Sequence, residues 1–146
     1  GATPFGEVMR LLEAADAGHE VVIGSRRASS DAATRERAGL RALMGQAFYA
    51  FVNFLAVPGI SDTQCGFKLM DRKRVLPIVE KSIIDGFAFD VELLCVATRF
   101  GLGIAEVPVT WRNSPFTTVS MITTPPSMLI ETLRMLWRFR RGGYNP

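Results

Sequence analysis

Apolar residues recur at helical spacing behind Thr3 and Pro4, at Phe5, Val8, Leu11, Leu12 and Ala15. They predict a first helix that Gly18 and His19 stop. The β-branched run Glu20–Gly24 reads as a buried strand, which the chain leaves through Ser25, Arg26 and Arg27. Residues 28–34 are small and polar and read as a loop. A long helix is predicted from about Arg35 to Val57, with Leu40, Met44, Phe48, Phe51 and Leu55 in one stripe. Val52 and Phe54 widen its apolar face past half the girth, so much of it should be covered. Pro58-Gly59 ends it, and the polar loop Asp62–Lys68 runs into a strand over Gly66–Met70. Asp71–Lys81 reads as a helix that must accommodate Pro77. After the Asp85-Gly86 turn, Asp90–Phe100 is a helix apolar nearly all round and therefore buried. A third strand, Ile104–Trp111, is weakened by Pro108. A loop over 114–126 leads to a last helix over 126–141.

Strands alternating with helices make this an α/β chain, with about three mainly parallel strands and flanking helices. Three parallel strands leave two open edges and are few for a sheet normally covered on both faces. The chain also opens Gly1-Ala2-Thr3-Pro4, with neither an initiator methionine nor a signal-peptide pattern. Both features lead us to expect a portion of a larger domain. Open edges further make pairing into a homo-oligomer an expectation.

The 146 residues suffice for one core. At 48% hydrophobic and 21% charged the composition is globular. The most apolar stretch, Leu43–Val57, is interrupted by Gln46 and Asn53 and falls short of the about 20 residues of a membrane span. Two cysteines, Cys65 and Cys95, exclude a disulfide scaffold and a four-cysteine zinc site. The single His19 excludes a multi-histidine metal centre, and its place in a turn argues against a Ser-His-Asp hydrolase. Gly101-Leu102-Gly103 precedes a strand and lacks the third glycine of a dinucleotide loop, and no P-loop sequence is present. The net charge of +3 suits an anionic partner. Nucleic acid is disfavoured, because the arginines have no interleaved aromatic platform.

Four segments carry candidate chemistry. Arg26-Arg27 follows a strand end, where ligand crevices of open α/β sheets lie and where guanidinium groups can hold phosphate; a solvated loop charge is the plain alternative. Arg35, Arg37 and Arg41 follow at the start of the long helix, and for Arg35 and Arg37 a solvated helix face is the favoured reading. Asp62–Lys68 gathers a carboxylate, a hydroxyl, an amide, a thiol and an ammonium. Turn chemistry accounts for Asp62 and Gly66 but not for Gln64, Cys65 and Lys68. In Gly86–Leu94, Asp90 reads either as a helix N-cap or as a functional carboxylate, and Glu92 as a first-turn carboxylate. Glu106–Arg112 is a strand ending in Trp111 and Arg112, which suits either a sugar or phosphate contact or a plain strand end.

Together, Gly24–Arg26 (GSR), Asp62–Lys68 (DTQCGFK), Gly86–Leu94 (GFAFDVELL) and Glu106–Trp111 (EVPVTW) stand in characteristic order and spacing. They closely resemble the C-terminal half of the family 2 glycosyltransferases that charge polyprenyl phosphates. Dolichyl-phosphate β-glucosyltransferases come first in likeness and the mannosyltransferases second. The likeness runs from Gly1 to about Arg141.

This resemblance implies an incomplete GT-A (Rossmann-like) domain over 1–146. It also implies inverting transfer of a hexose from a nucleotide sugar to a polyprenyl or dolichyl phosphate, with UDP-glucose the preferred donor and GDP-mannose the second. Mg2+ or Mn2+ is implied as cofactor, its Asp-x-Asp ligands lying just before Gly1, and no metal ligand is expected in the chain itself, which is expected to be inactive alone. Arg26 and Arg41 would bind the acceptor phosphate. Asp62, Gln64, Lys68 and Trp111 would line the donor site. Asp90 would occupy the catalytic-base position of relatives with hydroxyl acceptors, a role that an already ionised phosphate hardly needs. Cys65 is expected to be buried.

In the last helix, Glu131, Arg134, Arg138 and Arg141 fall on one face and Leu129, Leu133, Leu136 and Trp137 on another. That pattern fits an amphipathic helix on a membrane surface as well as one packed on its own domain. Because the implied acceptor is a lipid, a peripheral position on the cytoplasmic face of a membrane is expected. The alternatives are a family 2 transferase with a hydroxyl acceptor and a non-catalytic membrane-surface or interaction module.

Overall fold

The computed structural model describes residues 3–25, 50–51, 54–86, 88–110 and 124–144. A 3-10 turn, Phe5–Glu7, leads into helix α1, Val8–Asp16. Gly18 then takes a φ of 102°, which lets the chain reverse into strand β1, Val21–Ser25. The remaining elements are β2 (Lys68–Met70), α2 (Arg72–Lys81), α3 (Phe89–Arg99), β3 (Ile104–Pro108) and α4 (Thr124–Arg140). All are close to the spans the sequence predicts. Strand β3 ends at Pro108, short of the predicted Trp111, although the Val109 N–H still donates to the Ser25 carbonyl at 3.2 Å. Helix α2 accommodates Pro77. Its start is fixed by Asp71, whose carboxylate accepts from the Lys73 and Arg74 amides at 2.8 and 3.2 Å.

The sheet order is β2-β1-β3, with β1–β3 parallel and β1–β2 antiparallel. The sheet is therefore mixed, with one of its two pairings opposite to the expected parallel sense. The reason lies in the route of the chain. It leaves β1 at its C-terminal end and begins β2 at that same end, since Lys68 pairs with Ile23 and Met70 with Val21. Returning from that side permits only antiparallel pairing.

The register sorts the side chains by face. Residues directly opposite one another share a face, so Lys68, Ile23 and Glu106 form one row and Met70, Val21 and Ile104 another beside it. This face packs on Val75 and Ile78 of α2, on Leu94 of α3, and on Met128 and Met135 of α4. The opposite face presents Val22, Leu69 and Ala105 to Leu11 of α1. Helix α3 is buried from Val91 through Ala97, as its all-round apolarity predicts. Truncation of Leu94, which is fully buried, should cost about 2–5 kcal/mol.

Of the predicted helix over 35–57, residues 50–51 and 54–57 are described; 50–51 and 54–56 are helical and Val57 already bends out of the helix. Ala56 and Val57 are buried, but Phe51 and Phe54 are 54% and 77% exposed, against the expectation of a covered helix. Helix α4 also divides differently from the expected two faces. Met128, Thr132 and Met135 point inward, Leu129 and Leu136 are half-buried, and Ile130, Leu133 and Trp137 form an exposed stripe.

A candidate polar site at the C-terminal end of the central strand

The apolar face of the sheet ends abruptly at one edge. Below Ile23 it is hydrocarbon; beside and beyond Ile23 stand Lys68, Glu106 and Ser25. The segment 61–67 is tied down over this edge. The Glu106 carboxylate accepts from the Ser61 amide at 3.0 Å, the Ser61 hydroxyl at 3.0 Å and the Asp62 amide at 2.9 Å. The Ser25 and Ser61 hydroxyls are 3.4 Å apart, and Gly24 N–H donates to the Phe67 carbonyl at 2.8 Å. Gly24 leaves little room for a side chain here. A Cβ there would lie 3.0 and 3.1 Å from the Val109 methyls and 3.2 Å from the Phe67 ring.

The N-terminus of α3 completes the site. Lys68 Nζ lies 2.8 Å from Asp90 Oδ1 and donates also to the Cys65 carbonyl. The two partners differ in solvation: the Lys68 side chain is 4% exposed and that of Asp90 31%. Asp90 is not the N-cap of α3. Ala88 holds that position and no side chain caps it, so the capping alternative fails and Asp90 faces Lys68 instead.

The structure thus brings together Asp62, Gln64, Lys68 and Asp90 of the predicted site residues. Asp62 is buried with its backbone held by Glu106. Gln64 Nε2 is buried and without a hydrogen-bond partner, a donor available to a ligand's oxygen. Cys65 is buried, as expected. Lys68 acts as an internal strut between the 62–67 segment and α3. Arg26, Arg41 and Trp111 lie outside the described residues, so their expected roles stand as proposals.

Two carboxylates gain roles that the sequence does not assign them. Glu106 stands in a motif segment, where local pattern gives it no role of its own. Its signal is an acidic residue on the inward, apolar side of β3, between Ile104 and the strand end. Glu92 is a first-turn carboxylate, as read from the sequence, and it is fully buried. It accepts from the Ile83 amide at 3.1 and 3.2 Å, the Ile84 amide at 3.0 Å and the Tyr144 hydroxyl. Burial, and next the hydrogen bond to Glu92, push the Tyr144 phenol well above its ordinary range. Burial likewise raises the Cys95 thiol.

A divalent ion does not fit the described carboxylates at this edge. Asp90 is engaged by Lys68, and Glu106 by three donors. Among the described residues no group of three or more His, Cys, Asp or Glu is arranged to hold a metal. No helix among them is long and apolar enough to cross a membrane.

No protein-family model matches the chain. Among curated proteins it is similar to a dolichyl-phosphate β-glucosyltransferase of Dictyostelium discoideum, with 34% identity over 149 residues that cover 97% of this chain and 45% of the relative. It is similar also to proteins of that name from Homo sapiens, at 37% over 117 residues, and from Saccharomyces cerevisiae, at 32% over 125 residues. These alignments cover 76% and 77% of this chain and 36% and 37% of the relatives. The chain thus spans less than half the length of the relatives it matches. By this likeness along most of its length, the chain belongs to the family 2 glycosyltransferases of the dolichyl-phosphate β-glucosyltransferase group, as the counterpart of less than half of such a protein.

Proposed function

We propose that the protein carrying this chain transfers a hexose, with inversion, from a nucleotide sugar to a dolichyl or other polyprenyl phosphate, UDP-glucose being the preferred donor and GDP-mannose the second. The observation that carries this reading is the likeness to dolichyl-phosphate β-glucosyltransferases over 97% of the chain in the Dictyostelium protein. The polar cluster of Lys68, Asp90, Glu106 and Gln64 at the end of β1 and β3 supports it, since that is where α/β sheets bind ligands.

The chemistry asks little proton transfer of the protein. A phosphate oxygen of the acceptor attacks C1 of the hexose, the bond from C1 to the donor diphosphate breaks, and its electron pair leaves with the nucleoside diphosphate. The attacking oxygen is already ionised, so positioning dominates. Arg26 and Arg41 hold the acceptor phosphate in this reading, and Gln64 and Trp111 face the donor. Asp90, paired with Lys68, orders the 62–68 segment against α3 and is not needed to take a proton. The divalent ion implied for the donor diphosphate, Mg2+ or Mn2+, draws its ligands from outside the described carboxylates. This chain alone is expected to be inactive.

The protein meets its lipid at the cytoplasmic face of a membrane through α4. Ile130, Leu133 and Trp137 are 52%, 51% and 57% exposed, and the Arg141 guanidinium stacks 3.8 Å over the Trp137 ring. Exposed Arg134 and Arg140 complete a cationic, apolar surface suited to anionic lipid.

The test is product analysis. Full-length protein, UDP-glucose, a short-chain polyprenyl phosphate and magnesium or manganese should yield a β-linked polyprenyl-phosphate hexose by NMR. An α-linked product would refute inversion, and no product from either nucleotide sugar would refute the reaction.

A further inference from the structure

Helix α4 ends in a glycine-built reversal. Gly142 takes a φ of 74°. Its N–H donates to the Phe139 carbonyl at 3.0 Å, and the Gly143 N–H donates to the Arg138 carbonyl at 3.0 Å. This paired 5→2 and 6→1 pattern folds the chain back over its own helix. It stacks the Tyr144 ring on Phe139 with centroids 4.4 Å apart, beneath the Arg138 guanidinium at 5.2 Å. Tyr144 is 1% exposed, and its hydroxyl donates to Glu92.

Glu92 in turn holds the segment that leads to Asp90. Its carboxylate fastens the Ile83 and Ile84 amides, and the same segment meets α4 a second time at Gly86. A Cβ on Gly86 would lie 2.9 Å from Glu131 Oε1. The turn closes onto α3 through Phe89 N–H to Gly86 O at 3.1 Å. Glu92 follows Asp90 by two positions on one rigid, buried helix.

From this chain of contacts we infer that Glu92 and Tyr144 are positioning residues, a latch by which the seating of α4 sets the 83–86 segment and, through α3, the carboxylate of Asp90. The inference rests on the proposed transferase reading for its rate consequence, and on geometry alone for the latch. It makes α4 more than an anchor: a helix pressed onto a surface holds Asp90 against Lys68.

The test uses the full-length protein. Tyr144→Phe keeps the stacked ring and removes only the hydroxyl. Amide hydrogen exchange at Ile83 and Ile84 should accelerate about tenfold, the equivalent of one hydrogen bond to a charged group. The kcat for hexose transfer should fall severalfold at unchanged KM for the nucleotide sugar. Glu92→Leu should accelerate exchange further. Glu92→Gln should retain protection, because its oxygen can take the Oε2 place facing both amides while its NH2 donates to the Tyr144 oxygen. Unchanged exchange in Tyr144→Phe would overturn the latch. Faster exchange with unchanged kcat would overturn its coupling to Asp90. Loss of protection in Glu92→Gln equal to that in Glu92→Leu would also overturn the latch. A wild-type protein without transferase activity would overturn the reaction instead, and the exchange rates would still decide the latch.

Discussion

The Lys68–Asp90 pair makes an asymmetric prediction. Both charges take part in one 2.8 Å contact, but the Lys68 side chain is 4% exposed and the Asp90 side chain 31%. Removing one partner costs what the survivor loses in solvation. Asp90→Ala strands a buried ammonium whose remaining partner among the described residues is the Cys65 carbonyl. Breaking a buried pair from one side costs about 3–5 kcal/mol, and the remaining carbonyl argues for the lower end, about 3. Lys68→Met keeps most of the stem's volume and leaves a carboxylate that can turn to water, at a cost near that of an exposed pair, about 1 kcal/mol. The difference of about 2 kcal/mol, at a urea slope of about 1–3 kcal/mol/M, separates the two midpoints by about 1 M. Urea unfolding followed by circular dichroism reads this directly, provided the slopes agree. Equal midpoints, or Lys68→Met the less stable, would refute the assignment of Lys68 as the buried member.

Other outcomes follow from single contacts. Gly24→Ala places a methyl 3.0–3.2 Å from Val109 and Phe67, so overpacking should cost about 1–3 kcal/mol in chemical denaturation. The Tyr144 phenol ionises at 10.0 in the unfolded chain and higher when folded. Its stabilising contribution is therefore complete below pH 10 and is lost above it at about 1.4 kcal/mol per pH unit, the buried Cys95 thiol acting in the same sense. Tyr144→Phe should flatten this alkaline slope in pH-dependent unfolding. Trp137→Ser, which removes the stacking partner of Arg141, should reduce flotation of the full-length protein with anionic liposomes severalfold, and unchanged flotation would count against α4 as the membrane surface.

Local chemistry makes much of the fold legible. Helix α3 is readable because an apolar sequence on every side has nowhere to go but inside, and β1 because a β-branched run ends at Gly24-Ser25. Asp71 announces α2 by its capping side chain. The antiparallel sense of β2 is not readable, since it depends on which end of β1 the intervening chain returns to, a non-local fact. The role of Asp90 stays open between cap and functional carboxylate in the sequence, and only the arrival of Lys68 from a distant strand decides it. Glu92 escapes local reading for a similar reason. A carboxylate in a first helical turn is favoured by the dipole alone, and nothing local shows that two amides and a tyrosine 52 residues away converge on it. Exposed Phe51 and Phe54 show the converse, an apolar stripe that the described residues do not cover.

The most direct measurement compares initial rates of labelled glucose transfer by the full-length protein to a polyprenyl phosphate and to the corresponding free alcohol. Transfer to the phosphate and none to the alcohol is predicted, with Asp90→Asn lowering the rate without abolishing it. Transfer to the alcohol that Asp90→Asn abolishes would make Asp90 a general base and contradict a reaction governed by positioning of an ionised acceptor.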